Sequence, residues 1–354
     1  MTRPRFASLD VERPVYLLGM LRIALAGFVL LGTYDAVREV STRGYFGDSF
    51  HIPLLPEWAL PSRQVYLGLL AVRALAAAAA LLGVRARAGL FVASTIGLYL
   101  LCCDRLQYHN NRYLLELLTL LAAFTRCDRT FRFVGENQPN ALAPGYATFL
   151  LKAQLSLVYL ASGGSKLLDP EWRGGQVLHV RYTRGLEIMA ERGQEVPAAL
   201  QHLVSAPWFA DVTSKAAIAN ELFLALGMWF PRTRAVALWL GVMFHFGIQV
   251  FARVEVFSFL MGAAYLLFAV PELGERRLRF DPASHGPLVR WLRRLDWLRR
   301  FEFEEVSGAS LEAVDRDGEA RSGRGAYVLL ARTLPLLFPL WLPLALVARR
   351  PRKN

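Results

Sequence analysis

Cysteine is scarce. The 354-residue chain has three. Cys102 and Cys103 are adjacent, and Cys127 lies one predicted helix later. No Cys-x-x-Cys pair and no metal-type Cys/His spacing occurs, so a disulfide scaffold and a zinc module are excluded. Charge is sparse too. Asp, Glu, Lys and Arg make up 20% of the chain, against about a quarter in soluble globular proteins. Hydrophobic residues reach 54%, and mean hydropathy is +0.30. That argues against a plain cytosolic enzyme and excludes disorder. Lysine is rarer still: Lys152, Lys166, Lys215 and Lys353 are the four among 41 basic residues. The arginine bias suits a GC-rich, bacterial genome. A phosphate loop is absent, since Gly163-Gly164 is too short to form one. A haem reading needs facing axial His pairs, and His109 and His245 differ in expected depth. The N-terminus lacks the form of a cleavable signal. Its apolar stretch begins near Val15, runs too long, and has no small-residue cleavage motif behind it.

What is present is long apolar stretches. Eight read as membrane helices: 15–35, 65–84, 88–103, 112–124, 146–162, 215–230, 234–251 and 256–270. In lipid the backbone must satisfy its own hydrogen bonds, so such segments are helical. The net charge is +12. Alone it suggests nucleic acid, but its placement suggests topology. With eight spans, Arg3, Arg5 and Arg13 share one side with Arg85 and Arg87. The same side holds Arg126, Arg129 and Arg132, then Arg232 and Arg234, then Arg276, Arg277 and Arg279. The positive-inside rule then puts both termini in the cytoplasm.

The segment after Pro271 changes character. Leu288–Arg300 reads as an amphipathic helix with Leu288, Trp291, Leu292, Leu295 and Leu298 on one stripe. Phe301–Val306 alternates like a strand, and Asp315-Arg-Asp-Gly318 is a turn signal. Together they predict a small α/β unit. Tyr327–Val347 is long enough for a ninth span. However, Pro335, Pro339 and Pro343 would each cost about 3 kcal/mol or more inside a helix. A broken, partly buried or interfacial helix is the preferred reading.

Ionisable groups at membrane depth are functional candidates by default. Most of them fall near the outer helix ends. Tyr108-His109-Asn110-Asn111-Arg112-Tyr113 opens the fourth helix, with Glu116 a turn further in. Lys166 ends the fifth in Ser162-Gly-Gly-Ser-Lys-Leu-Leu-Asp-Pro-Glu-Trp172. Asn220 and Glu221 lie in the sixth, His245 in the seventh, and Glu255 opens the eighth. These stretches could line one cavity open to the outer face or to lipid. Each has a plainer reading. Lys166 and Trp172 can anchor a helix at the headgroups. His245 can be a satisfied core histidine. Glu221 can pair with Lys215 or Arg253. Arg22 and Arg73 can be paired structurally or snorkel. On the functional reading, Lys166 is a desolvated lysine able to act as a base near neutral pH.

At these residues the sequence resembles the HTTM family, membrane-domain relatives of vitamin K-dependent gamma-glutamyl carboxylase. The matching pieces are Leu21-Arg22-Ile23, Asp104–Leu115, Leu155–Trp172, and Phe244-His245 through Phe257 to Phe268. They run in the family order over residues 12–272. The resemblance implies a lysine that deprotonates a reduced quinone. Oxygen addition then yields a strong base that takes a proton from a glutamate side chain, which accepts carbon dioxide. Lys166 is the lysine that matches, one residue further from the following Trp than is usual. His109, Asn110, Asn111, Glu221 and His245 complete the implied catalytic set. Animal enzymes have Asn-Asn-His in the fourth-helix motif and bacterial relatives often His-Asn-His. Here Asn111 replaces the last His. The large extracytoplasmic domain of the animal enzyme is missing. The tail is similar to the DCC family of thioredoxin-like proteins in Phe280–Pro287, Arg290–Trp297 and Leu334–Trp341. Ser284 and Pro287 occupy that family's two cysteine positions. Thiol–disulfide exchange needs a thiolate, so the resemblance implies a redox-dead domain.

These readings combine into a mainly α chain. It is a polytopic membrane helical bundle of about eight transmembrane helices, residues 1–271. A small α/β thioredoxin-like cytoplasmic domain follows, residues 272–354. The expected location is a bacterial inner membrane. The expected partners are the lipid bilayer and a quinone or peptide substrate, without nucleic acid. A non-catalytic binding, transport or assembly protein with an outer polar pocket is the alternative. A redox relay through the tail is the weakest reading, for want of cysteines.

Overall fold

The computed structural model describes residues 12–42, 46, 51–251, 256–269 and 276–348. Glu255 and Arg253, named above, lie outside them. The described residues form two compact units. The first takes residues up to 225 together with 245–268, and the second takes 226–244 and the chain from 269.

Each apolar stretch carries a helix. In the first unit these begin with α1 (Tyr16–Thr42), α2 (Arg63–Leu82), α3 (Ala86–Cys103), α4 (Asn110–Ala123) and α5 (Tyr146–Leu168). The link after α5 is itself helical, as α6 (Pro170–Arg173), α7 (Gln176–Glu191) and α8 (Ala198–Ser205). Next come α9 (Pro207–Gly227) and α10 (Pro231–Phe251), of which residues 226–244 belong to the second unit. Then α11 (Phe257–Ala264) continues as a 3-10 turn, Tyr265–Leu267. Local signals explain several ends. Ser62 caps α2 by accepting from the Val65 amide at 3.4 Å. Gly83 closes α2 at φ +78, a left-handed geometry that suits glycine. Among the described residues, α1, α2 and α3 are long and apolar enough to cross a membrane. By length alone α5, α9 and α10 also reach about 20 residues.

In this unit α1 packs on α2, α4 and α11, α2 on α3, and α3 on α4. Two buried arginines hold it together. Arg22 is fully buried and donates to the carbonyls of Cys127, Thr130 and Phe131 at 3.1, 3.1 and 2.7 Å. It thereby pins the chain after α4 onto α1. Arg73 on α2 pairs with Glu116 on α4, with side chains 7% and 4% exposed. Gly97 on α3 makes room for that carboxylate, because a Cβ there would sit 2.2 Å from Glu116 Cδ. Both arginines are thus paired structurally. A short antiparallel ladder joins β1 (Glu12–Pro14) to β2 (Leu142–Pro144).

The second unit contains a four-stranded sheet of β3 (Arg276–Phe280), β4 (Phe301–Glu305), β5 (Glu312–Val314) and β6 (Ala320–Ser322). Its order is β4-β3-β5-β6, with β3 parallel to β4 and the other two pairs antiparallel. The crossover helix α12 (Pro282–Leu295) begins six residues before the expected Leu288. Asp281 caps it by accepting from the Ala283 amide, and Pro282 fills the first turn. Its buried stripe is Val289, Leu292 and Leu295, while Trp291 points outward. The Asp315–Gly318 turn closes the β5–β6 hairpin, with Gly318 at φ +80 donating to the Asp315 carbonyl. The apolar run from Tyr327 is broken. It lies in α13 (Arg324–Thr333), a 3-10 turn (Pro335–Leu340) and α14 (Trp341–Ala348).

Candidate functional site

The strongest polar constellation sits where α5 crosses α9. The chain from α5 through α6 runs antiparallel to α9, with residue 163 beside 221 and 222, 172 beside 214, and 175 beside 211. A Cβ on Gly163 would lie 3.0 Å from Leu222 and 3.2 Å from the Glu221 Cβ. Ser214 donates to the Trp172 carbonyl, and Gly175 abuts the Asp211 backbone. The absent side chain at 163 leaves room for the Leu222 and Glu221 side chains. A lysine on one helix lies within reach of a glutamate on the other.

Lys166 Nζ donates to both Glu221 carboxylate oxygens, at 2.6 and 2.7 Å, and to Ser162 Oγ at 2.7 Å. The Lys166 side chain is 18% exposed and that of Glu221 7%. An ammonium has three donors and no acceptor, so three acceptors saturate it. The chain after α5 adds an aromatic wall. Asp169 caps α6 by accepting from the Glu171 and Trp172 amides, and Pro170 opens it. The resulting turn sets the Trp172 ring 5.1 Å from Lys166 Nζ and 5.9 Å from the Arg181 guanidinium, both within cation–π range.

A second group lies on the same face of α5. Tyr159, seven residues before Lys166, bonds His245 Nε2 on α10 at 2.7 Å and also bonds the Tyr265 hydroxyl. All three are buried, and Phe257 meets the His245 ring edge-on at 5.2 Å. On α5, Lys166 thus meets Glu221, and seven residues earlier Tyr159 meets His245. Tyr265 and Ser162 complete these groups. The tyrosines were missed in the sequence, although the seven-residue spacing of Tyr159 from Lys166 places both on one helix face.

The fourth-helix motif stands apart. His109 precedes the first turn of α4 and makes no side-chain cap. His109 and Asn110 are exposed, and Asn111 is half-buried. Among the described residues, no hydrogen bond or ion pair joins these three to Lys166, Glu221 or His245. Glu221 pairs with Lys166 rather than Lys215, whose partner is Asp211 at 2.7 Å. No cluster of three metal-ligating side chains occurs among the described residues.

The HTTM domain family matches residues 13–272. The chain belongs to the HTTM domain family. That match covers Lys166, Glu221 and His245 and ends before the sheet of the second unit. No curated protein and no solved structure matches the chain. An HTTM chain with three long apolar helices is a membrane protein.

Proposed function

We propose that this HTTM protein is a multi-pass enzyme whose Lys166 acts as a base on a lipid-soluble acid, a reduced quinone by preference. The single observation that carries this is that α5 bears two polar groups seven residues apart, Lys166 bonded to Glu221 and Tyr159 bonded to His245 and Tyr265. That is far more polar apparatus than a helix staple needs, and buried polar groups are costly in lipid. To act, the lysine must give up one acceptor and a proton. Glu221, whose carboxylate oxygens lie 2.6 and 2.7 Å from Nζ, can take that proton. A quinol hydroxyl can replace Ser162 as a neighbour. The quinol O–H bond then breaks, its proton passes to Nζ, and the electron pair stays on the quinolate oxygen. Tyr159, His245 and Tyr265 supply hydroxyl and imidazole groups that can hold or pass that proton. His109, Asn110 and Asn111 fit an entry or substrate-contact role at the start of α4.

The wider reading joins this site to topology. All eight apolar stretches cross a bacterial inner membrane, with both termini cytoplasmic and residues 1–271 forming the membrane domain. Residues 272–354 form a redox-dead thioredoxin-like domain. The β4-β3-β5-β6 order, with one parallel pair across α12, supports that assignment. A second reading has its own support. Saturated Lys166 donors and the close Gly163 contact also suit a structural staple in a non-catalytic binding or assembly protein.

The test uses the full chain in nanodiscs with a short-chain naphthohydroquinone and oxygen. Wild type should accelerate quinol oxidation over empty discs. Lys166→Met should abolish that acceleration while keeping a cooperative unfolding transition. Absence of acceleration by folded wild type overturns the enzyme reading and leaves the staple.

A further inference from the structure

The tail presents an apolar surface beside clustered arginines, at the level of a membrane helix. In α14 no residue is buried, and Leu346 is 60% exposed. Leu336 and Leu340 in the preceding 3-10 turn are exposed as well. An isolated helix this apolar is poorly suited to water. Its attachment shows what it lies against. The Trp239 indole, two turns into α10, donates to the Pro339 carbonyl at 2.9 Å. Phe338 and Trp341 stack at 5.8 Å, and the Arg332 guanidinium lies 5.8 Å from the Trp341 ring.

Positive charge gathers at the same place. Arg234 opens α10 and folds back onto the Met228 and Trp229 carbonyls at 3.0 and 3.1 Å. Arg316, in the β5–β6 turn, is within electrostatic reach of both Arg332 and Arg234. Burial first, and then those two like charges, hold its guanidinium below the ordinary value. By geometry, Arg234 lies five residues before Trp239 on α10, and Arg332 lies over Trp341, two residues after Pro339. In sequence, Arg349, Arg350, Arg352 and Lys353 follow directly on α14.

We propose that the 3-10 turn and α14, with Arg234, Arg316 and Arg332, form a binding site for anionic phospholipid at the membrane surface. Guanidinium forks match phosphate oxygens. Tryptophan and phenylalanine suit the headgroup level, and leucine and valine suit the acyl boundary. A neutral lipid would answer the apolar helix but not the converging arginines. A nucleic acid would answer the arginines but not Leu340, Leu344 and Leu346. The inference rests on the reading of α10 as a membrane helix.

The experiment places an environment-sensitive fluorophore on Leu346→Cys in the full chain carrying Cys102→Ala, since Cys103 and Cys127 are buried. Nanodiscs contain either phosphatidylcholine alone or phosphatidylcholine with phosphatidylglycerol. Blue-shifted emission and quenching by spin-labelled lipid are expected in the mixture, with a water-like signal in phosphatidylcholine. Arg316→Gln with Arg332→Gln should lose the shift in the mixture. A water-like signal in both lipids, equal signals in both, or no response to the arginine variants overturns the proposal. A label on Val242→Cys in α10 separates the two readings. If it sits in lipid while the Leu346 label does not, this proposal alone fails. If it is in water, both fail.

Discussion

Glu116 on α4 lies between Arg73 and Gly97, and removing it gives the sharpest energetic test of the first unit. Both charged side chains are almost wholly withdrawn from water. Glu116→Ala therefore leaves an arginine with no counter-charge where water cannot reach it. Breaking a buried pair from one side costs about 3–5 kcal/mol, and the near-complete burial here argues for the upper half of that range. The double change Arg73→Met/Glu116→Leu removes both charges at similar volume. It should fall within about 1 kcal/mol of wild type or exceed it, because desolvating two ions offsets most of their attraction. Gly97 adds an independent check. A Cβ there overlaps the carboxylate, so Gly97→Ala should destabilise wild type. It should do so less in the Glu116→Ala background, where the overlapping atoms are gone. Contacting residues commonly couple by about 0.5–3 kcal/mol. Reversible unfolding in mixed micelles, titrated with SDS and followed by circular dichroism, reads all of these. If Glu116→Ala is as stable as wild type, or the double change is as unstable as the single, the ion pair does not hold these helices.

Other consequences are local. Arg22→Met should lose three hydrogen bonds to the link after α4, each worth about 1.5–3 kcal/mol when charge-assisted. Hydrogen exchange at 127–131 should rise, and Arg22→Lys should recover only part of the loss. Gly175→Ala should lower the unfolding midpoint. Gly175 adopts φ +74, and a Cβ would meet the Asp211 backbone at 2.5 Å. Asp104, just past α3, accepts from His51 Nδ1 and from the Ile52 and Leu106 amides at 3.0, 3.2 and 3.0 Å. Burial pushes its carboxyl up, but those bonds outweigh burial and hold it below the ordinary value. Its contribution should be full above the unfolded value, about 3.9, and vanish as pH falls through the lower folded one. Asp104→Asn should remove that acid-dependent step. Asp281→Ala should cost about 1 kcal/mol and speed exchange in the first turn of α12.

Helices were legible wherever the signal was local. The eight apolar stretches find eight helices because lipid-type hydrophobicity needs no knowledge of partners. The Asp169-Pro170 and Asp281-Pro282 pairs open helices that the hydrophobic periodicity alone does not mark, since a cap and a fixed φ act within one turn. The α12 start was misplaced because its first turn, Pro-Ala-Ser-His, carries no apolar stripe. There the cap outranks the periodicity. The tail's apolar run breaks at Leu334-Pro335, where proline denies the helix a donor.

Pairing across the chain was the illegible part. Glu221 has Lys215 six residues away, and the sequence offers that lysine or Arg253 as its partner. Asp211, one helical turn from Lys215, takes it instead. Lys166 reaches Glu221 across 55 positions, and Gly163 leaves room for the Glu221 and Leu222 side chains. Tyr265 escaped notice for the same reason, since only the fold sets it against Tyr159. The motif at His109 shows the converse. A short polar string is conspicuous in sequence, yet His109 and Asn110 are exposed and, among the described residues, neither is hydrogen-bonded to the lysine. If those residues serve the chemistry proposed for Lys166, it must be through a substrate that spans both. His109→Ala should then raise the KM of quinol oxidation and leave kcat near wild type. A fall in kcat at unchanged KM would place His109 in the proton transfer itself and refute that division of roles.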